Sequence, residues 1–234
     1  MRKTIGIIGG MGPAATVDLM EKIIEMTEAQ DDQHHIPLLV DSNTHIPDRT
    51  LAILSDGESP VPEMLKSARR LEQAGADFLI IACNTAHYFI PDIADQIGVP
   101  ILSMLEVAAE RMQTDGVTSA GILATDGVVN SGLYEKPLAE RGIRAVYPDS
   151  GQQQEIMHLI YDLIKKGVCD KDHLPVSHTR KILEDMRARG AEKFLLACTE
   201  LPIAFEHMEI YEDCVDPTTL LARAAILKAD ALTA

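Results

Sequence analysis

LEQAGADFLIIACNTAH, residues 71–87, returns further along the chain as MRARGAEKFLLACTELP, residues 186–202. Cys198 follows Cys83 by 115 residues, and the same offset lays TIGIIGG (4–10) on SAGILAT (119–125) without a gap. It also superimposes Gly12 on Gly127, Thr16 on Ser131 and Leu105 on Leu220. One register kept over so many separate segments marks an internal repeat. The chain therefore reads as two structurally equivalent halves.

Each half has the same grammar of strand, glycine-containing turn and helix. The apolar runs TIGII (4–8), IPLLV (36–40) and DFLIIA (77–82) are strands of the first half; TSAGIL (118–123), IRAVY (143–147) and KFLLA (193–197) are those of the second. Between them ATVDLMEKIIEMTEA (15–29), VPEMLKSARRLEQAG (61–75), SGLYEKPLAERG (131–142) and HTRKILEDMRARG (178–190) carry apolar residues three or four apart. That spacing predicts amphipathic helices. Short continuous apolar strands alternating with such helices form parallel sheets covered on both faces. The expected class is α/β: two pseudo-symmetric domains, each a parallel sheet flanked by helices, with the active site in the cleft between them. Because the offset still relates ILSMLEVAAE (101–110) to VDPTTLLARAA (215–225), the last segment is expected to complete the first half. The expected division is 1–101 plus 209–234 for the first domain and 102–208 for the second.

Length and composition narrow the function. In 234 residues, 21 Lys and Arg stand against 36 Asp and Glu, a net charge of −15, so no basic surface is available to nucleic acid or an anionic membrane. The opening MRKTIGIIGGMGP breaks its apolar run with glycines before reaching the length of a secretion signal. No stretch approaches the roughly 18 apolar residues of a membrane span. A cytoplasmic location is expected, where the four cysteines stay reduced and a special cysteine is a candidate for chemistry.

The repeat pairs Cys83 with Cys198, whereas Cys169 and Cys214 have no counterpart and read as packing or surface thiols. Each paired cysteine sits between a buried strand and a helix start, a position expected to favour the thiolate. Two equivalent thiols facing across a pseudo-twofold suit the inversion of a carbon centre, because one can remove a proton while the other returns one to the opposite face. His87, four residues after Cys83, reads either as a base or zinc partner for that thiol, or as a cap of its own helix.

Gly10-Met11-Gly12-Pro13-Ala14-Ala15 matches the G-x-G-x-x-A dinucleotide pattern after a first strand, but no ribose-binding acid stands at the expected distance. The turn's physical content is an anion cradle at a helix start, which suits a carboxylate as well as a pyrophosphate. Asn84, Thr85, Thr125 and Thr199 lie in the same kind of turn and read either as donors to a carboxylate or as helix caps. Arg49 and Lys165, almost one repeat apart, are the cations placed to receive an anionic ligand.

Together GGMGPAAT (9–16), IPDRT (46–50), ACNTAH (82–87), LAT (123–125), ACTELP (197–202) and DPTTLLA (216–222) resemble the aspartate/glutamate racemase family, nearest to its aspartate racemases. The resemblance spans essentially the whole chain. It implies an enzyme that interconverts L- and D-aspartate with neither pyridoxal phosphate nor metal as cofactor, usually as a homodimer, with a small dicarboxylic amino acid as its partner. By position it implies Cys83 and Cys198 as the acid/base pair. Met11, Asn84, Thr85, Thr125 and Thr199 would contact the amino-acid head group, and Arg49 and Lys165 the side-chain carboxylate, with Lys166 an alternative to Lys165. The first strand is not followed by the DSG turn of the glutamate racemase branch. Glutamate stays open as a substrate, since one methylene changes affinity by only about 1–3 kcal/mol. Alternatives are a maleate isomerase or arylmalonate decarboxylase of the same architecture, or a non-catalytic dicarboxylate-binding protein.

Overall fold

In the computed structural model, which describes residues 2–230, the element order is β1 (Ile5–Gly9), α1 (Pro13–Met26), β2 (Leu38–Ser42), α2 (Arg49–Leu54), α3 (Val61–Gln73), β3 (Phe78–Ile81), α4 (Ile90–Ala94) and α5 (Met104–Thr114). There follow β4 (Ser119–Ala124), α6 (Asp126–Ser131), α7 (Glu135–Ala139), β5 (Arg144–Val146), α8 (Ser150–His158), α9 (Val176–Ala188), β6 (Lys193–Ala197), α10 (Glu200–His207), β7 (Cys214–Val215) and α11 (Pro217–Asp230). The chain divides into two units, one running up to Val107 and resuming at Thr218, the other spanning Ala108–Pro217.

In the first unit β1 lies between β2 and β3, all parallel, with Ile5 opposite Leu38 and Phe78. A single parallel bridge from Leu79 to Ile101 adds a fourth position beyond β3. Alternation sorts the strand residues between two layers. Ile5, Ile7, Phe78, Ile80 and Ala82 pack against Leu19 and Ile23 of α1 and Leu221, Ala222 and Ala225 of α11. Ile8, Leu79, Ile81 and Cys83 pack with Met64, Ala68 and Leu71 of α3 on the opposite face.

The second unit repeats this plan in the parallel order β5-β4-β6-β7, so β7 occupies the place of the Ile101 bridge. Phe194, Leu196 and Cys198 pack with Ile182, Leu183 and Met186 of α9 and Leu201, Ala204 and Phe205 of α10. These three are the repeat partners of Leu79, Ile81 and Cys83, so each catalytic-candidate cysteine continues the same alternating row of its own sheet.

The elements depart from the sequence pattern in several places, and β2 runs Leu38–Ser42 where a strand over 36–40 was expected, because Asp41 and Ser42 pair with Ile8 and Gly9 of β1. The first helix begins at Pro13, whose fixed φ and missing N–H suit a first helical turn. The stretch 131–142, expected as one helix, belongs to α6 and α7, because Gly132 adopts φ +62 and closes the first of them. After α8 the helical path widens to a π turn over Leu159–Leu163, then tightens over Ile164–Lys166 before Gly167 ends it at φ +80. Among the described residues no helix is long and apolar enough to cross a membrane.

Candidate active site

In the first unit the turns after β1, β2 and β3 leave the same carboxyl edge of a parallel sheet. The glycine turn is tied by Thr16, whose hydroxyl accepts from the Gly10 N–H at 2.9 Å and donates to the Gly12 carbonyl at 3.1 Å. Gly10 has φ +88, and a Cβ there would overlap the Asn43 backbone. The cradle read from the sequence therefore spends its Gly10 N–H internally. What the turn offers instead is its Met11 carbonyl, which accepts from Arg49 Nη2 at 3.2 Å.

Arg49 opens α2 and is buried, 8% exposed. Its Nη1 donates to the Pro47 carbonyl at 2.9 Å and the Ile46 carbonyl at 3.3 Å, so backbone acceptors fix the plane of the guanidinium. The loop that supplies those acceptors is held by Asn43, whose Oδ1 accepts from the His45 N–H at 3.0 Å and whose Nδ2 donates to Ser67 at 3.1 Å. Met11 and Arg49 are thus brought into contact. Cys83, Asn84 and Thr85 are buried beyond β3, where Asn84 precedes the 3-10 turn Thr85–Phe89.

His87 serves structure. Its Nδ1 lies 2.9 Å from the Cys83 carbonyl, while Nε2 accepts from the Met104 N–H at 3.0 Å, at the start of α5. That pair of partners requires the neutral ring protonated on Nδ1. Burial pushes its pKa down to about 4, against the hydrogen bond from the ring to the Cys83 carbonyl. Both ring nitrogens are taken, which leaves none for a thiol or zinc, and the N–H that the ring caps is that of α5 rather than of its own helix.

In the second unit the cluster forms around a residue that sequence reasoning passed over, Glu200. Its carboxylate is 4% exposed. Oε2 accepts from Cys198 Sγ at 3.1 Å and from the Thr199 hydroxyl at 3.2 Å, and Oε1 pairs with Lys165 Nζ at 3.0 Å. Lys165 also lies 5.3 Å from the ring centre of Tyr161, within the π turn. Lys166 points elsewhere, to Asp162 at 2.7 Å on an exposed face, so the lysine joined to the cysteine is Lys165. The Thr125 hydroxyl caps α6 by accepting from the Val128 N–H.

The thiol of Cys198 runs against the expectation from its helix-start position. Burial pushes its pKa well above the ordinary thiol value, and the neighbouring Glu200 charge adds to that rise, while Lys165 and the Glu200 N–H act in the other direction. A helix terminus favours a thiolate only where solvent or donors remain in excess; here a carboxylate accepts the thiol proton. The signal for Glu200 was its place two residues after a repeated cysteine. An acid in the first turn of a helix ordinarily reads as a solvated complement to the helix dipole.

Two like parallel sheets, each ending in a cysteine at its carboxyl edge, define a duplicated α/β protein with paired thiols. The profile of the Asp/Glu/hydantoin racemase family matches residues 8–225, and the chain belongs to that family. It is 32% identical to an aspartate racemase of Picrophilus torridus, covering 97% of this chain and 94% of that one with a TM-score of 0.84. An aspartate racemase homologue from Pyrococcus horikoshii is 27% identical over 99% of this chain and 100% of its own, with a TM-score of 0.78. The broad specificity amino-acid racemase RacX of Bacillus subtilis is 25% identical, over 95% of this chain and 96% of that protein.

Proposed function

We propose that this racemase-family chain interconverts L- and D-aspartate by moving a proton at Cα between Cys83 and Cys198, using no cofactor. The observation that carries the reading is the equivalence of the two thiols: each extends the same alternating row at the carboxyl end of the corresponding strand, β3 or β6. The extent of likeness to the Picrophilus aspartate racemase supports the substrate.

In the proposed reaction, one thiolate takes the α-proton and the electron pair of the broken C–H bond delocalises into the α-carboxylate. The opposite thiol then donates its proton to the other face of Cα. A thiolate is a weak base for such a carbon acid, so positioned donors must stabilise the enolate-like charge. Asn84, Thr85, Thr125 and Thr199 are the side chains proposed for the head group, with Met11 contributing backbone. Arg49 and Lys165 are proposed for the β-carboxylate.

A second reading follows from how those cations are held. Arg49 already donates to three carbonyls and Lys165 already pairs with Glu200. Their charge is therefore partly answered within the protein, which favours a site that also accepts amino acids without an acidic side chain; the Bacillus relative is named a broad specificity amino-acid racemase. Incubation with L-aspartate in D2O, followed by NMR for the α-proton and by circular dichroism for chirality, tests the first reading; a panel of neutral amino acids tests the second. Exchange with falling ellipticity for aspartate is the expected result. Absence of exchange with every amino acid would overturn the racemase reading.

A further inference from the structure

The two repeats differ at the residue that follows their cysteines by two. In the first unit that place holds Thr85, and in the second it holds Glu200. The difference lies beside the sulfur itself, since Glu200 Oε2 stands 3.1 Å from Cys198 Sγ and is fixed there by Thr199 on the same oxygen and by Lys165 on the other. A buried carboxylate with three such partners has few alternative positions. A thiolate at Cys198 would place a second negative charge against it, whereas a thiol satisfies it.

We propose that Glu200 is a positioning residue that holds Cys198 as the thiol, so that in the resting protein Cys83 is the base and Cys198 the acid. This rests on the racemase reading above and adds an order to it. In the forward turnover Cys83 gains the α-proton and Cys198 loses its own to Cα, so the product leaves a thiolate at Cys198 with Glu200 and Lys165 beside it. For the next turnover in the same direction a proton has to leave Cys83 for solvent and another has to return to Cys198. Turnover of the mirror-image substrate performs the same reset without solvent.

Mirror-image substrates have equal free energies, so kcat/KM must be the same in both directions whatever the state of the thiols. The built-in asymmetry therefore shows in how kcat and KM divide for each enantiomer. The charged groups facing Cys198 are Glu200 on α10 and Lys165 on the turn after Leu163, with Tyr161 packed against Lys165.

The test is the pH dependence of iodoacetamide labelling at each cysteine, read peptide by peptide by mass spectrometry. The pH of half-maximal rate reports thiolate formation independently of access. In the unmodified protein Cys83 is expected to titrate at lower pH than Cys198. In Glu200→Gln the Cys198 midpoint should fall by at least about one pH unit, a tenfold gain of thiolate at a given pH, and Glu200→Asp should keep it high. The kcat values for L- and D-aspartate should converge in Glu200→Gln. A Cys198 midpoint at or below that of Cys83, or one unmoved in Glu200→Gln, would overturn the proposal. If Glu200→Gln does not fold, the comparison within the unmodified protein decides, together with Lys165→Met, which should slow Cys198 labelling further. Labelling needs no substrate, so an unmoved midpoint in an active racemase removes only the role of Glu200. An inactive protein removes the reaction itself.

Discussion

At the scale of single residues, Cys83 and Cys198 are the proposed acid/base pair, and His87 carries a stability that depends on pH. Replacing either cysteine with Ser is expected to lower racemisation of aspartate at least about 100-fold, the usual weight of a positioned acid or base. Near-normal turnover of either variant, measured by circular dichroism, would exclude a two-thiol mechanism. His87 is neutral in the fold with a pKa of about 4, against an ordinary value of 6.5. The unfolded chain therefore binds more protons between those values, and stability rises with pH across that window. The contribution is fully present above about pH 6.5 and is lost as pH falls towards 4, by roughly 3 kcal/mol in all. Urea unfolding at pH 7 and pH 4.5 should show this loss, and His87→Gln should remove most of it, since other acids titrating in the window are common to both proteins.

At the scale of elements, the tight turn after β1 sets where Arg49 stands, because Gly10 presses on the backbone of Asn43 and Asn43 holds the loop of residues 43–48. Gly10→Ala meets both a left-handed backbone and an overlap, and is expected to cost more than the roughly 1–3 kcal/mol of backbone strain alone. Gly142→Ala is the control, since Gly142 has φ +71 with open space at its Cβ. Thermal unfolding should rank them in that order, and only Gly10→Ala should raise KM for aspartate. Most strands and the paired cysteines were legible in the sequence because a buried strand is written as an uninterrupted apolar run and a duplication repeats its place; the ends of β2 were not, since its polar Asp41 and Ser42 still pair with β1. The break at Gly132 was not, since one glycine inside an apolar period reads equally as interior or end. The π turn at Leu159–Leu163, which brings Lys165 to Glu200, leaves no compositional trace. Glu200 was hidden for a different reason: burial of a carboxylate is a property of what packs around it.

At the scale of the whole molecule, α11 follows the strands of the second unit yet fills the core of the first through Leu221, Ala222 and Ala225. Burying a side chain such as Leu221 is worth about 1.5–3 kcal/mol, against a total stability of roughly 5–15 kcal/mol for a domain. A chain ending at Pro217 should therefore lose amide-exchange protection in β1 and β3 while β4 and β6 keep theirs. Equal loss in both sheets would mean that the two units do not unfold separately.

The same return of α11 brings its last turn against the residues that precede β1. The Lys3 N–H bonds the Ala229 carbonyl at 3.0 Å and Arg2 pairs with Asp230 at 2.7 Å, at the edge of the first sheet where its strands begin. Cys83 lies beyond the other edge, farther away than the roughly 16 Å that a strand of five residues spans. A tether or label attached near Arg2 or Asp230 therefore occupies one and the same corner, remote from that cysteine.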